Sequence, residues 1–261
     1  MQQNEETRDL PSPQVRVITD VAEFDRLQVK WAELFSASLQ ATAALHFDWL
    51  RTWWLAYGSE DAGRRLRVIT VWRGDRLIGG LPLYAGPARP AAFRLQSLQF
   101  LSTGEAEHEE TCPDYLDLLC RSGEETACVA AVSQTLTDLS WDTLHLAEMP
   151  ENSPLAQSLP ALLGTADCEV IPRGNCHVAN LAGGMTVYFD RLPKDRRQNA
   201  RRLLRRADRP DVRLEIATER DFPDVFADLV RLHQNRWSRD GKPGCFAAAR
   251  FTESHRLMYE H

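Results

Sequence analysis

Asp114 and Tyr115 stand side by side where a polar loop runs into the apolar stretch YLDLLC. A carboxylate next to a phenol can take one proton and return another, the division of labour of general acid–base chemistry. The same pair also reads as the turn that opens a strand, with Asp114 capping the backbone and Tyr115 packing. Just upstream, His108 sits among Glu105, Glu107, Glu109 and Glu110, as a base or ligand or as part of a solvated acidic loop. Further on, Arg201, Arg202, Arg205 and Arg206 fall on one face of a helical stretch whose opposite face carries Ala200, Leu203, Leu204 and Ala207. An arginine fork binds an oxyanion through two hydrogen bonds, so this face suits phosphate, a tRNA backbone or an anionic saccharide carrier. Its plainer reading is a solvated helix between two domains. Finally, an apolar stripe at helical spacing, Phe222, Val225, Phe226, Leu229 and Leu232, continues into His233 and Arg236, with Trp237 beside them. These three either meet a substrate or bond to carbonyls at the helix end while the indole packs.

The elements that must position these groups follow a definite order. Val15 to Ile18 reads as a strand, and Asp20 as the N-cap of a helix with Phe24, Leu27, Trp31, Leu34 and Phe35 at three- and four-residue spacing. A second helix, Phe47 to Tyr57, carries Trp49, Trp53 and Trp54 and is apolar on most sides, as a buried helix is; its indoles pack in a core or line a sugar pocket. Leu66 to Arg73, a turn at Gly74-Asp75 and Arg76 to Tyr84 form a hairpin, and Phe93 to Leu101 and Tyr115 to Cys120 are strand-like. Then come a helix from Glu124 to Leu139, a strand from Thr143 to Leu146, a helix from Pro154 to Leu163, and short strands at Cys168 to Ile171 and His177 to Leu181. A basic helix, Leu192 to Ala207, precedes a second start: strand Val212 to Ile216, helix Asp221 to Trp237 and a further helix near Phe251.

Composition narrows the function classes. The chain has 261 residues, beyond the roughly 100 to 200 of one domain, and a net charge of -6, which argues against wholesale coating of nucleic acid. Residues 1–14 lack the basic start and apolar run of a secretory signal, and no segment reaches the roughly 18 apolar residues of a membrane helix; a cytoplasmic protein is expected. Six cysteines form no CxxC pair, so no metal site is expected.

The stretches FDWLRTWWLAYG, LRVITVWRGDRLIGGLPLY, CPDYLDLLC, LPKDRRQNARRLLRR and LVRLHQNRWSRDGKPGCF, in this order, resemble the CelD-like, FemAB-related branch of the GNAT superfamily of acyltransferases. The resemblance implies an α/β GNAT fold, a mixed central sheet flanked by helices, over 15–185. It also implies a polar tail over 1–14, a basic linker helix over 186–210 and the incomplete start of a second GNAT-like fold over 211–261. It implies transfer of an acyl group, from acyl-CoA with acetyl-CoA first in line, to a small-molecule or saccharide amine in cellulose, exopolysaccharide or envelope synthesis. FemAB relatives use aminoacyl-tRNA, which makes tRNA the one nucleic-acid partner to consider. A non-catalytic GNAT-like interaction module is the alternative, with a second copy or another chain on the end of the protein. On this resemblance Asp114 and Tyr115 serve catalysis, and Arg201, Arg202, Arg205, His233, Arg236 and Trp237 bind substrate. GNAT proteins hold the donor pyrophosphate on a Gly-rich loop that opens a helix, where N–H groups and the helix dipole favour anions. Here that position reads LCRSGEETA, and Glu124 and Glu125 at the helix start would repel a pyrophosphate. The resemblance therefore implies weak donor binding in the first fold.

Overall fold

The computed structural model describes residues 11–59, 61, 63–88, 95–163 and 168–260. Most of the polar opening stretch, and Phe93 of the strand expected from there to Leu101, lie outside the described residues.

Two four-stranded sheets form the framework, in the orders β1-β3-β4-β7 and β2-β5-β6-β8. β1 (Gln14–Ile18) pairs antiparallel with β3 (Val68–Arg73), and β3 with β4 (Arg76–Leu81). β2 (Arg65–Leu66) pairs with β5 (Leu83–Pro87), and β5 with β6 (Gln96–Phe100). β4 and β5 are successive halves of one run separated by Pro82, which has no N–H to give the ladder and instead accepts the Leu101 N–H on its carbonyl at 2.9 Å. Beyond this run the framework forks. β7 (Leu119–Cys120) continues the first sheet on β4, whereas β8 (Thr143–His145) joins the second sheet parallel to β6. The chain fills the gap between β6 and β7 with the loop 101–118.

Helices cover these sheets because each brings a row of apolar side chains. The stretch read as one helix after Asp20 is two, α1 (Val21–Asp25) and α2 (Gln28–Ser36). Asp20 caps the first, accepting from the Glu23 N–H at 3.0 Å. Phe24, Trp31 and Leu34 are fully buried, and Trp31 Nε1 donates to the Leu45 carbonyl. The glycine pair of β4 makes room for these neighbours: a Cβ on Gly80 would lie 2.7 Å from the Trp31 ring, and one on Gly79 2.7 Å from Cys128 Sγ. α3 (Phe47–Trp53) passes into a π-helical turn, Trp54–Gly58, whose wide pitch brings Trp54 over Gly58. α4 (Glu125–Asp138) and α5 (Pro154–Leu162) pack against each other.

The chain divides into two compact units, Met1–Glu169 with Gln234–His261, and Val170–His233. In the first, α9 (Ala249–Glu260) packs on α3 and the π turn, burying Phe251 and Ser254. The second holds α6 (Gly184–Arg191), α7 (Lys194–Ala207) and the first two turns and more of α8 (Phe222–Arg239).

Four expected strands need correction. Of Tyr115 to Cys120 only the last two residues pair, since the Leu116 N–H goes to the Glu148 carbonyl and the Leu118 N–H to Asp117 Oδ1. The runs at Cys168 to Ile171, His177 to Leu181 and Val212 to Ile216 are not strands: no neighbouring backbone pairs with them among the described residues. Leu214 and Ile216 are 96% and 91% exposed, so the apolar alternation that suggested a strand has no sheet to rest on.

Candidate active site

The loop that fills the fork is held in unusual backbone. Three of its non-glycine residues, Ser102 (φ 74), Cys112 (φ 50) and Tyr115 (φ 57), occupy positive φ. Such conformations cost on the order of 1–3 kcal/mol each and gather at functional sites. Gly104 (φ +82) is required here, because a Cβ would lie 2.3 Å from the Tyr84 hydroxyl. The next residue, Glu105, is buried.

Glu105 is 6% exposed. Its Oε1 accepts two hydrogen bonds, from Trp53 Nε1 on α3 and from Thr111 Oγ1, each 2.5 Å. Burial pushes its carboxyl above the usual range, and the bonds from Thr111 and Trp53 and the charge of Arg64 pull it partly back. Arg64 stands over the rings of Trp53 and Tyr84 at 5.3 Å and donates to the carbonyls of Tyr57 and Gly104. Tyr57, stacked on Trp53, donates to the Glu109 carbonyl, and burial pushes its phenol up to about 12. The group is thus a carboxyl of raised proton affinity in an aromatic shell, the kind of perturbed group that gathers at functional sites.

Next to it opens a cavity of about 40 Å³ between α3 and α9, lined by Trp49, Thr52, Trp53, Thr111, Ser254, His255 and Met258. The two residues that bind Glu105, Trp53 and Thr111, are also wall residues. Trp49 Nε1 is tied to Ser102 Oγ at 2.9 Å, so the strained loop and α3 fix one indole from both sides. Thr52 is 1% exposed, and its hydroxyl has no hydrogen-bond partner among the described residues. His255 Nδ1 lies 2.9 Å from the Phe251 carbonyl, which assigns its proton to Nδ1 in the neutral ring and leaves Nε2 as the basic nitrogen. A larger cavity, about 440 Å³, is lined by His108, Glu109, Pro243, Gly244, Arg250 and the alanines before α9.

At the position where the family resemblance puts a phosphate-binding loop, the N–H groups are already taken. The Ser122 N–H donates to the Ala37 carbonyl, that of Gly123 to Glu125 Oε2 at 2.9 Å, and that of Glu124 to the Arg121 carbonyl. Glu124 itself forms a two-point ion pair with Arg73, 3.1 and 2.7 Å. An anion at the start of α4 would have to displace both carboxylates.

Asp114 and Tyr115 lie exposed on the fork loop and do not line either cavity described above; the Tyr115 carbonyl accepts from Thr42. Arg201, Arg202 and Arg205 are exposed on α7, with Arg202 donating to Asn199 Oδ1. In α8, His233 and Trp237 are half-buried and Arg236 is exposed; the Trp237 carbonyl accepts from Asp240 and Lys242 N–H groups, and the Lys242 ammonium lies over its indole. His108 is exposed at the rim of the larger cavity. Sequence reasoning missed Glu105 as a separate group, and missed Thr52, Thr111, Ser254, His255 and the buried Asp117. The one signal for Glu105 is the glycine before it, in STGEAE.

Among the described residues no group of three His, Cys, Asp or Glu side chains is arranged to hold a metal ion, and no helix is long and apolar enough to cross a membrane. No family model matches the chain, and no curated protein matches it. Solved structures do. An aminoglycoside acetyltransferase from an uncultured soil metagenomic sample, in complex with sisomicin, is 9% identical, with TM-score 0.37 over 64% of this chain and 96% of that one. The same enzyme with trehalose gives 10% identity at the same TM-score and coverage. A ribosomal-protein-alanine N-acetyltransferase from Brucella melitensis biovar Abortus 2308 is 13% identical, with TM-score 0.35 over 63% of this chain and 100% of that one. These TM-scores are below one half, and the shared shape is partial.

Proposed function

We propose that this protein serves an N-acyltransferase reaction of the GNAT kind and that the acceptor amine is handled at Glu105. The observation that carries the reading is the buried carboxyl of Glu105, held by Trp53 and Thr111, two residues that line a cavity. An ammonium must lose a proton before its nitrogen can attack an acyl carbon, and a carboxylate with raised proton affinity can take that proton directly or through its hydrogen-bonded neighbour Thr111. The order of elements and the five sequence stretches that resemble the CelD-like, FemAB-related branch support the same reading. The donor is an acyl-CoA thioester, or an aminoacyl ester as in FemAB relatives, and it is not held by the loop before α4. Asp114 and Tyr115, beside Cys112 in the same loop, remain candidates for returning a proton to the leaving group. A cytoplasmic role in polysaccharide or envelope synthesis fits the resemblance.

The second reading, a non-catalytic GNAT-like module, is favoured by one specific feature, the closed N–H groups at Ser122, Gly123 and Glu124. A transfer assay with acetyl-CoA, a longer acyl-CoA and an aminoacyl ester against a panel of amino sugars and alkylamines separates the two. Turnover with one donor class, saturating well above micromolar concentration, is expected. Absence of transfer from every donor would establish the module instead.

A further inference from the structure

α7 concentrates positive charge in a protein that is otherwise acidic. It carries seven Lys and Arg against one Asp, a net +6, whereas the chain as a whole carries -6 and the residues outside α7 therefore -12. Little around the helix answers that charge. Of its seven cations only Arg197 forms an ion pair among the described residues, with Asp190 at 3.5 Å. Arg201, Arg202, Arg205 and Arg206 all stand exposed on the polar face. The opposite face is apolar and equally bare: Leu203 and Leu204 are 51% and 43% exposed, with Ala200 and Ala207 on the same side.

A helix that joins an arginine-rich face to an uncovered apolar stripe suits the boundary between headgroups and acyl chains, where leucines enter the hydrocarbon and long basic side chains reach back to the phosphates. Nucleic acid offers the same phosphates. It gives Leu203 and Leu204 nothing to bury against, however, and α7 has no aromatic side chain on which a base could stack.

We infer that α7 is a membrane-surface anchor, and that its partner is a bilayer leaflet rich in anionic lipid. The residues outside α7, with their net -12, are repelled by such a surface, so the attraction is confined to this helix. The contact is peripheral and owes nothing to the reading of Glu105.

The test is co-sedimentation of the 261-residue protein with vesicles of phosphatidylcholine alone and of equal parts phosphatidylcholine and phosphatidylglycerol. Only the anionic vesicles should bind it, and added salt should release it steeply. Arg201→Gln, Arg205→Gln and Arg206→Gln together should weaken binding by about fivefold for each arginine removed, with circular dichroism confirming that the helix content is kept. Leu203→Ser with Leu204→Ser should also weaken it, although every charge remains. Equal binding to neutral vesicles, no binding to either kind, or full binding by the arginine variant would each overturn the inference. So would full binding by the leucine variant, since charge alone would then account for the attraction. If the protein holds transfer RNA through the same arginines and leaves the anionic vesicles unbound, α7 belongs to nucleic acid instead.

Discussion

Two buried carboxyls show how differently one residue type behaves in this protein. Glu105 is held by two side-chain donors that line a cavity; Asp117, 1% exposed, lies away from it, with Oδ1 accepting from Ser153 Oγ and the Leu118 N–H at 2.7 Å each and Oδ2 without a partner among the described residues. Burial pushes both above the usual carboxylate range. Between the ordinary carboxylate pKa and the raised one, the folded protein binds more protons than the unfolded chain. Their contribution to stability is therefore greatest at acid pH and declines as pH rises through that interval. Asp117→Asn keeps the Oδ1 acceptor and removes the ionisation, so it should flatten part of this decline. Urea unfolding across a pH series measures it, and an unchanged slope would show that Asp117 does not titrate there. None of this was legible beforehand. Glu105 and Glu107 are two residues apart in the same acidic loop, yet one is buried and the other exposed. Glu105 is held by Thr111 and by Trp53, the latter 52 residues back in sequence, which local chemistry does not reveal.

At the level of elements, local signals were read well where a local interaction decides the outcome. The Asp20 cap, the hairpin turned at Gly74, the aromatic α3 and the helix near Phe251 are all present, because capping, turn backbone and helical periodicity are set within a few residues. The strand at Val212 to Ile216 was misread because a strand needs a neighbour, and apolar alternation cannot say whether one exists. Among the helices, α5 depends on one residue that serves two elements. Ser153 Oγ accepts from the Ala156 N–H at the N-cap and donates to Asp117 on the lead-in to β7. Ser153→Ala removes a cap and leaves a buried acceptor short of a donor, so it should destabilise by about 2–3 kcal/mol in chemical denaturation. A loss under about 0.5 kcal/mol would mean that the two bonds are not formed together. Trp49 and Trp53 show where the two sequence readings of the aromatic helix meet: Trp54 and most of Trp53 serve the core, while Trp49 and an edge of Trp53 line the cavity.

For the whole molecule, the fork between the sheets and the loop that bridges it bring the candidate acceptor site together from α3, residues 101–118 and α9, three segments far apart in the chain. This convergence was not legible from spacing, which singled out the polar pair Asp114 and Tyr115 of the same loop but not the carboxyl that the loop buries. On the donor side, Glu124 and Glu125 at the start of α4 are expected from sequence to oppose a pyrophosphate, and in the structure Glu124 pairs with Arg73 and Glu125 accepts from the Gly123 N–H. Isothermal titration with acetyl-CoA should accordingly show no micromolar binding, and micromolar affinity would overturn this part of the account. The most direct test of its central claim is the rate of acyl transfer to a primary amine by the protein and by Glu105→Gln, with circular dichroism confirming the fold of both. A base in the reacting path predicts a fall of about 10²–10⁴-fold in the rate, with much less effect on the amine concentration needed for half-saturation. A Glu105→Gln variant as fast as the parent would contradict the assignment of Glu105.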